Sequence, residues 1–123
     1  LGLFCSTPMV ALSRNVNRKH AMEMLLSGDM LDASRAEQIG LINGEFEPDQ
    51  LTSETMAMAI KIASKSSMTI AIGKRAFYEQ AVMPLNEAYA YTSQVMTENM
   101  LTKDAEEGIG AFLEKRTPDW QDQ

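Results

Sequence analysis

The sequence predicts a mostly α-helical chain. Three observations carry that reading: apolar residues recur at helical spacing in successive segments, cap residues stand at the segment ends, and no long alternating strand pattern is present. At least half of the chain reads as helix, with one or two very short extended pieces.

The elements follow in order. Pro8 suits the first turn of a helix, where its missing N–H costs nothing, and residues 9–16 continue it. Asn17 caps a second helix over residues 18–27, with Ala21, Met22, Leu25 and Leu26 as its apolar stripe and Gly28 at its end. Met30 and Leu31 form an extended link. Asp32 caps a helix over residues 33–39, Gly40 stops it, and Leu41, Ile42 and Phe46 read as an extended or strand segment. Pro48-Asp49 opens a helix that runs to residue 65, with Met56, Ala59, Ile60 and Ala63 on one face. Ser66-Ser67 breaks it.

Residues 68–81 form the next helix. Its Gly73 costs about 1 kcal/mol relative to Ala, and a close helix–helix contact would explain it. Pro84 starts a long helix to residue 101, with Leu85, Ala88, Tyr89, Thr92, Val95, Met96 and Met100 spaced to bury one side. Residues 102–104 make a corner. Residues 105–116 form the last helix, with Ile109, Phe112 and Leu113 inward. Pro118 ends it, and the residues after it are expected to be loose. Gly, acids and Pro cluster over residues 44–50, which makes a boundary there.

Composition narrows the function classes. Hydrophobic residues are 45% of the 123-residue chain, which is normal for a globular protein. A net charge of −6 argues against nucleic acid or an anionic membrane as the main partner. Residues 1–20 nevertheless carry Arg14, Arg18 and Lys19 and no acid. One cysteine allows no internal disulfide and fits a reducing compartment. No apolar run is long enough to span a membrane, and no signal-peptide pattern is visible. The opening LGLFCSTP reads like the middle of something, which predicts a fragment or a processed product. Ten methionines read as filler between packed helices.

Few residues look chemical. His20 is the single histidine and reads as a surface or interface residue, since no acid precedes it at helical spacing. With one His and one Cys, a structural zinc site is not expected. Cys5 reads as a small buried residue. Ser6, Thr7 and the N–H groups after Pro8, near Arg14, Arg18 and Lys19 in sequence, form a weak phosphate-site signal, for which ordinary capping and solvated charges are the alternative explanation. Glu106-Glu107 at the start of the last helix and Lys115-Arg116 at its end both follow the helix dipole. No carboxylate pair forms an acid/base set, and no glycine-rich phosphate loop is present. On residues alone this is a helical piece without an active site of its own.

Two longer stretches say more. AMEMLLSGDMLDASRAEQIGLIN, from Ala21 to Asn43, has the pattern A-x-x-[LM]-x-x-[ST]-G-[DE]-x-[IL]-x-A-x-x-A-x-x-x-G-L-[VI]-[ND]. EEGIGAFLEKRTPDW, from Glu106 to Trp120, has the pattern E-G-x-x-A-F-x-E-K-R-x-P-x-[FW]. Both patterns resemble the crotonase family of enoyl-CoA hydratases and isomerases, as does the intervening AIGKRAFYEQ. The resemblance covers nearly the whole chain. The start, GLFCSTPMVALSR, differs from the Pro-Gly-x-Gly-Gly loop of typical hydratases and is most similar to the subgroup called enoyl-CoA hydratase domain-containing proteins.

The resemblance implies the following. The fold is the C-terminal part of the crotonase (ClpP/crotonase-like) α/β spiral, whose end falls in residues 1–48, followed by a helical trimerisation region over residues 49–123. The parent protein would be hydratase-like and would add water to 2-enoyl-CoA through an oxyanion-stabilised enolate. The oxyanion hole and the two catalytic glutamates would lie upstream, so no catalytic residue is in this chain and the chain alone would be inactive. Lys115 matches a lysine at the adenine and phosphate end of coenzyme A. Met96 falls where hydratases often put an aromatic. Phe4, Pro8 and Met9 would line the acyl pocket. No cofactor is implied; the coenzyme A thioester is substrate. The whole protein would be a homotrimer or hexamer, in a bacterial cytoplasm or a mitochondrial matrix, with no nucleic-acid or membrane partner. The alternatives are an enoyl-CoA isomerase, or a non-catalytic helical oligomerisation module descended from a crotonase.

Overall fold

The computed structural model describes residues 2–123, of which 66% are helical, and no strand occurs among them. Among the described residues seven helices follow one another: α1 (Ser6–Asn15), α2 (Arg18–Ser27), α3 (Ala33–Gln38), α4 (Leu51–Ala63), α5 (Ser67–Gln80), α6 (Leu85–Met100) and α7 (Lys103–Glu114). Among the described residues no helix is long and apolar enough to cross a membrane. The chain divides into two compact units, Leu1–Glu54 and Thr55–Gln123.

In the first unit the helix ends are set by local chemistry. α1 begins three residues earlier than its pattern predicts, because Ser6, Thr7 and Pro8 all fall in the first turn, where an N–H needs no acceptor. Cys5 stands at the cap position and is exposed, against the expectation of burial. Asn17 caps α2 by accepting from Lys19 N at 3.0 Å, and Asp32 caps α3 by accepting from Arg35 N at 2.7 Å. α1 packs on α2, with Ala21 and Val16 buried.

The extended segment expected at Leu41 and Ile42 is a series of bends. Their N–H groups both turn back to the Ala36 carbonyl, at 2.8 and 3.4 Å. Those donors close α3 and are not available to a strand ladder. Gly40, at φ +76, makes that reversal possible.

In the second unit α5 packs on α6, and α6 on α7. Ser66, only 3% exposed, caps α5 by accepting from Thr69 N at 3.1 Å. Thr102 caps α7 by accepting from Ala105 N at 3.2 Å. Tyr91 of α6 donates its hydroxyl to Glu79 of α5. That bond holds the phenol proton and raises the Tyr91 pKa above its ordinary value.

The helix cores are made of small residues. Ala76, Ala88 and Ala111 are buried where helices meet, while no large side chain among the described residues is fully buried. The stripes expected to face inward do so only in part: on α6 Ala88 is buried and Thr92 and Val95 are half-buried. Every residue of α4 is exposed, and so are Leu85, Tyr89, Met96 and Met100 of α6 and Ile109, Phe112 and Leu113 of α7. Helical periodicity shows that a face is apolar; it does not supply the layer that covers it. Gly73 differs from expectation too, since a Cβ built there would meet nothing within 4 Å.

Candidate functional site

The second unit carries the most organised polar geometry, and it centres on α7. Asp104, in the first turn of α7, is 2% exposed. One of its carboxylate oxygens accepts from Gln121 N at 2.8 Å and from Asp122 N at 3.1 Å. Asp122 in turn accepts from Met68 N at 3.1 Å, at the N-terminus of α5. That bond, with the Ser67 side chain, holds the Asp122 carboxyl below its ordinary range, and a negative group also suits that end of a helix. Trp120 Nε1 donates to Ser64 O at 2.9 Å, which satisfies a carbonyl left open at the end of α4.

The residues after Pro118 are therefore pinned, not loose. The Trp120 ring lies against Gly108, where a Cβ would stand 3.3 Å from two ring carbons, so a side chain there would push the indole away. Beside this lies an open apolar groove of about 680 Å³, lined by Ile70, Met100, Ile109, Phe112, Leu113 and Trp120 among others.

The other end of α7 is also fixed. The N–H of Lys115 donates to Phe112 O at 3.3 Å and that of Arg116 to Ala111 O at 3.0 Å, a Schellman closure. It requires a left-handed residue, and here that residue is Lys115, at φ +55 and ψ +40. A side chain in that conformation costs about 1–2 kcal/mol relative to glycine. Arg116 reaches back along the helix to Glu107, with Nη1–Oε1 2.5 Å and Nη2–Oε2 2.9 Å, and its Nε donates to Glu114 at 2.6 Å. Glu107 also accepts from Asp119 N at 2.8 Å. The hydrogen bonds from Arg116, then that from Asp119 N, hold the Glu107 carboxyl down to about 2, and Arg116 is raised in turn. Arg116 and Glu107 thus serve each other, where the sequence offered each to the dipole of its own helix end.

The residues singled out from the sequence are distributed as follows. Lys115 is exposed and in no ion pair among the described residues. Met96 is exposed on α6; neither it nor Lys115 lines the groove. Phe4, Pro8 and Met9 stand in the first unit. Phe4 is exposed before α1, Pro8 is in its first turn, and Met9 is half-buried in a groove of about 310 Å³ shared with residues of α2. His20 approaches Glu23, three residues later, with Nδ1–Oε2 3.8 Å. Asp104 and Trp120 were not singled out from the residues alone, and Glu107 was noted only as an acid suited to the start of its helix. The further signal was the E-G-x-x-A-F-x-E-K-R-x-P-x-[FW] pattern for Glu107 and Trp120; Asp104 lies outside it.

The family described as enoyl-CoA hydratase/isomerase matches residues 1–123. The chain belongs to this family. It is 48% identical over 120 residues to the mouse (Mus musculus) mitochondrial enoyl-CoA hydratase domain-containing protein 3, which covers 98% of this chain and 40% of that protein. An enoyl-CoA hydratase structure from Mycobacterium smegmatis superposes with a TM-score of 0.91 at 48% identity, covering 97% of this chain and 46% of the other. The structure of human enoyl coenzyme A hydratase domain-containing protein 3 gives a TM-score of 0.90 at 48% identity, covering 97% and 47%. The chain spans less than half the length of these relatives. It is a C-terminal, mostly helical part of a crotonase-family protein. The subgroup read from GLFCSTPMVALSR is the one to which the mouse and human relatives belong.

Proposed function

We propose that the whole protein containing this chain acts on acyl-CoA thioesters. It adds water across the double bond of a 2-enoyl-CoA: the water oxygen bonds to the β carbon, and the proton goes to the α carbon of the enolate. The observation that carries this reading is the family match along residues 1–123. The enolate is held by two backbone N–H groups, and two glutamates handle the protons. All four groups belong to the upstream part, so the present chain is inactive alone. The thioester is substrate, and no separate cofactor takes part.

On this reading Lys115 binds the adenine and phosphate end of coenzyme A; its uncommitted ammonium at the end of α7 supports that role. Met96 gives that end a flexible apolar contact in place of an aromatic stack. Phe4, Pro8 and Met9 line the acyl pocket. Residues 1–48 finish the spiral core, and residues 49–123 form the helical oligomerisation region of a homotrimer or hexamer. The exposed apolar faces of α4, α6 and α7 support that assembly, because faces of this kind mark contact surfaces. The mitochondrial naming of the mouse relative favours the mitochondrial matrix for a eukaryotic source, with the cytoplasm as the bacterial counterpart.

The test is a hydration assay on the whole protein with 2-enoyl-CoA substrates of graded chain length. Steady loss of the enoyl absorbance, with one 3-hydroxyacyl product, is the expected result. A shifted double bond without added water would make it an isomerase. No turnover at any chain length would leave the oligomerisation module.

A further inference from the structure

Two helices of this protein end in the same way but with different residues at the decisive position. α3 closes with Gly40 N to Glu37 O at 2.9 Å and Leu41 N to Ala36 O at 2.8 Å, and its left-handed residue is a glycine. α7 closes with the equivalent pair of bonds, and its left-handed residue is Lys115. A side chain stays in that region only when its surroundings over-determine it, and such positions concentrate where function needs a fixed geometry.

The surroundings here are specific. Arg116, the next residue, is held by a two-pronged bond to Glu107 and a third bond to Glu114. Glu107 also takes the N–H of Asp119, so the chain is tied on the far side of Lys115 as well. Every charged group around the cap is engaged except the Lys115 ammonium, which has no carboxylate partner among the described residues. A lysine is ordinarily a floppy point charge, and fixing its Cα and its exit direction lowers the entropy lost when it meets an anion.

We propose that Glu107 and Arg116 are positioning residues whose paired side chains lock the end of α7, so that Lys115 presents its ammonium at a fixed point to an anionic group of coenzyme A. This rests on the coenzyme A role proposed for Lys115. It adds that the affinity depends on two residues that do not touch the ligand, and that they act through Lys115 alone.

The experiment is a double-mutant cycle on the whole protein, with free coenzyme A as the probe in calorimetry and steady-state kinetics alongside. Glu107→Gln should weaken coenzyme A binding by roughly fivefold and raise KM similarly while leaving kcat unchanged. Lys115→Gly should weaken it at least as much. The double variant should bind no worse than Lys115→Gly, because the clamp has nothing left to aim. Arg116→Lys keeps the charge but loses the fork, and should repeat the Glu107→Gln loss; it carries the test if Glu107→Gln does not fold. Additive losses in the double variant would overturn the positioning role, as would wild-type binding in Glu107→Gln and Arg116→Lys with Lys115→Gly weakened; in both cases the coenzyme A reading survives. Wild-type binding in Lys115→Gly would overturn both.

Discussion

Glu107 and Arg116, nine residues apart, meet fork to fork, with two parallel N–H···O bonds between one guanidinium and one carboxylate. The pair makes the end of α7 sensitive to acid. Glu107 is held from its ordinary 4.5 down to about 2. Its folded pKa is depressed, so its contribution is complete above 4.5 and is lost as pH falls from there toward 2. Hydrogen exchange on the whole protein should show protection of the Arg116 amide declining across that window. In Glu107→Gln the same amide should show lower but pH-independent protection.

Lys115→Gly should make the protein more stable while making it a poorer binder. Relief of the left-handed side chain is worth about 1 kcal/mol. A higher midpoint in thermal unfolding, together with weaker retention of coenzyme A, is the expected combination. A lower midpoint would mean that the lysine stem packs usefully at the cap.

Asp104→Ala should release the tail. It leaves the N–H groups of Gln121 and Asp122 without their acceptor, at a cost of about 1–3 kcal/mol. Limited proteolysis read by mass spectrometry should show cleavage after Pro118 well before any other site. Asp104→Asn keeps one acceptor oxygen and should be nicked more slowly than the alanine variant.

What was legible in the sequence was what neighbours decide. Asn17, Asp32, Ser66 and Thr102 each accept from an N–H two or three residues on, and Gly40 reverses the chain at its own position. Asn17, Asp32 and Gly40 were readable in those roles. Ser66 was read as a break, because a cap and a break look alike until the helix after it is placed. The tail was not legible. Trp120 meets Ser64, and Asp122 meets Met68, across more than fifty residues, and no local pattern announces such a pairing. Arg116 and Glu107 were hidden for a different reason: the helix dipole explained each at its own end, so nothing called for a partner. The stripes on α4, α6 and α7 are apolar as expected, but cover reaches only part of the α6 stripe, at Ala88, Thr92 and Val95. The family came from two linear patterns and the subgroup from the opening GLFCSTPMVALSR, whereas Lys115, Met96, Phe4, Pro8 and Met9 take their proposed roles from that resemblance alone.

Gly73→Ala is a direct probe of what surrounds α5 in the whole protein. A methyl group meets nothing within 4 Å here, so the substitution should stabilise by about 1 kcal/mol through helix propensity. A loss of stability in denaturant titration would reveal another backbone lying against that helix.

Ile60→Asp on α4 and Phe112→Asp on α7 place a charge on exposed apolar faces. If those faces join subunits, each variant should shift the whole protein to smaller species in light scattering, with helicity retained in circular dichroism. An unchanged mass would place the subunit contacts elsewhere.

The fastening of Trp120 to Ser64 also sets an order of events during synthesis. The bond bridges 56 positions, so at ribosomal speeds roughly 3–11 s pass between the appearance of the corner before α5 and that of the indole which secures it. Through that interval α5, α6 and α7 emerge with the α4 carbonyl and the start of α5 still unfastened. The nascent chain therefore presents its oily helix faces to the surrounding water before this particular knot is tied.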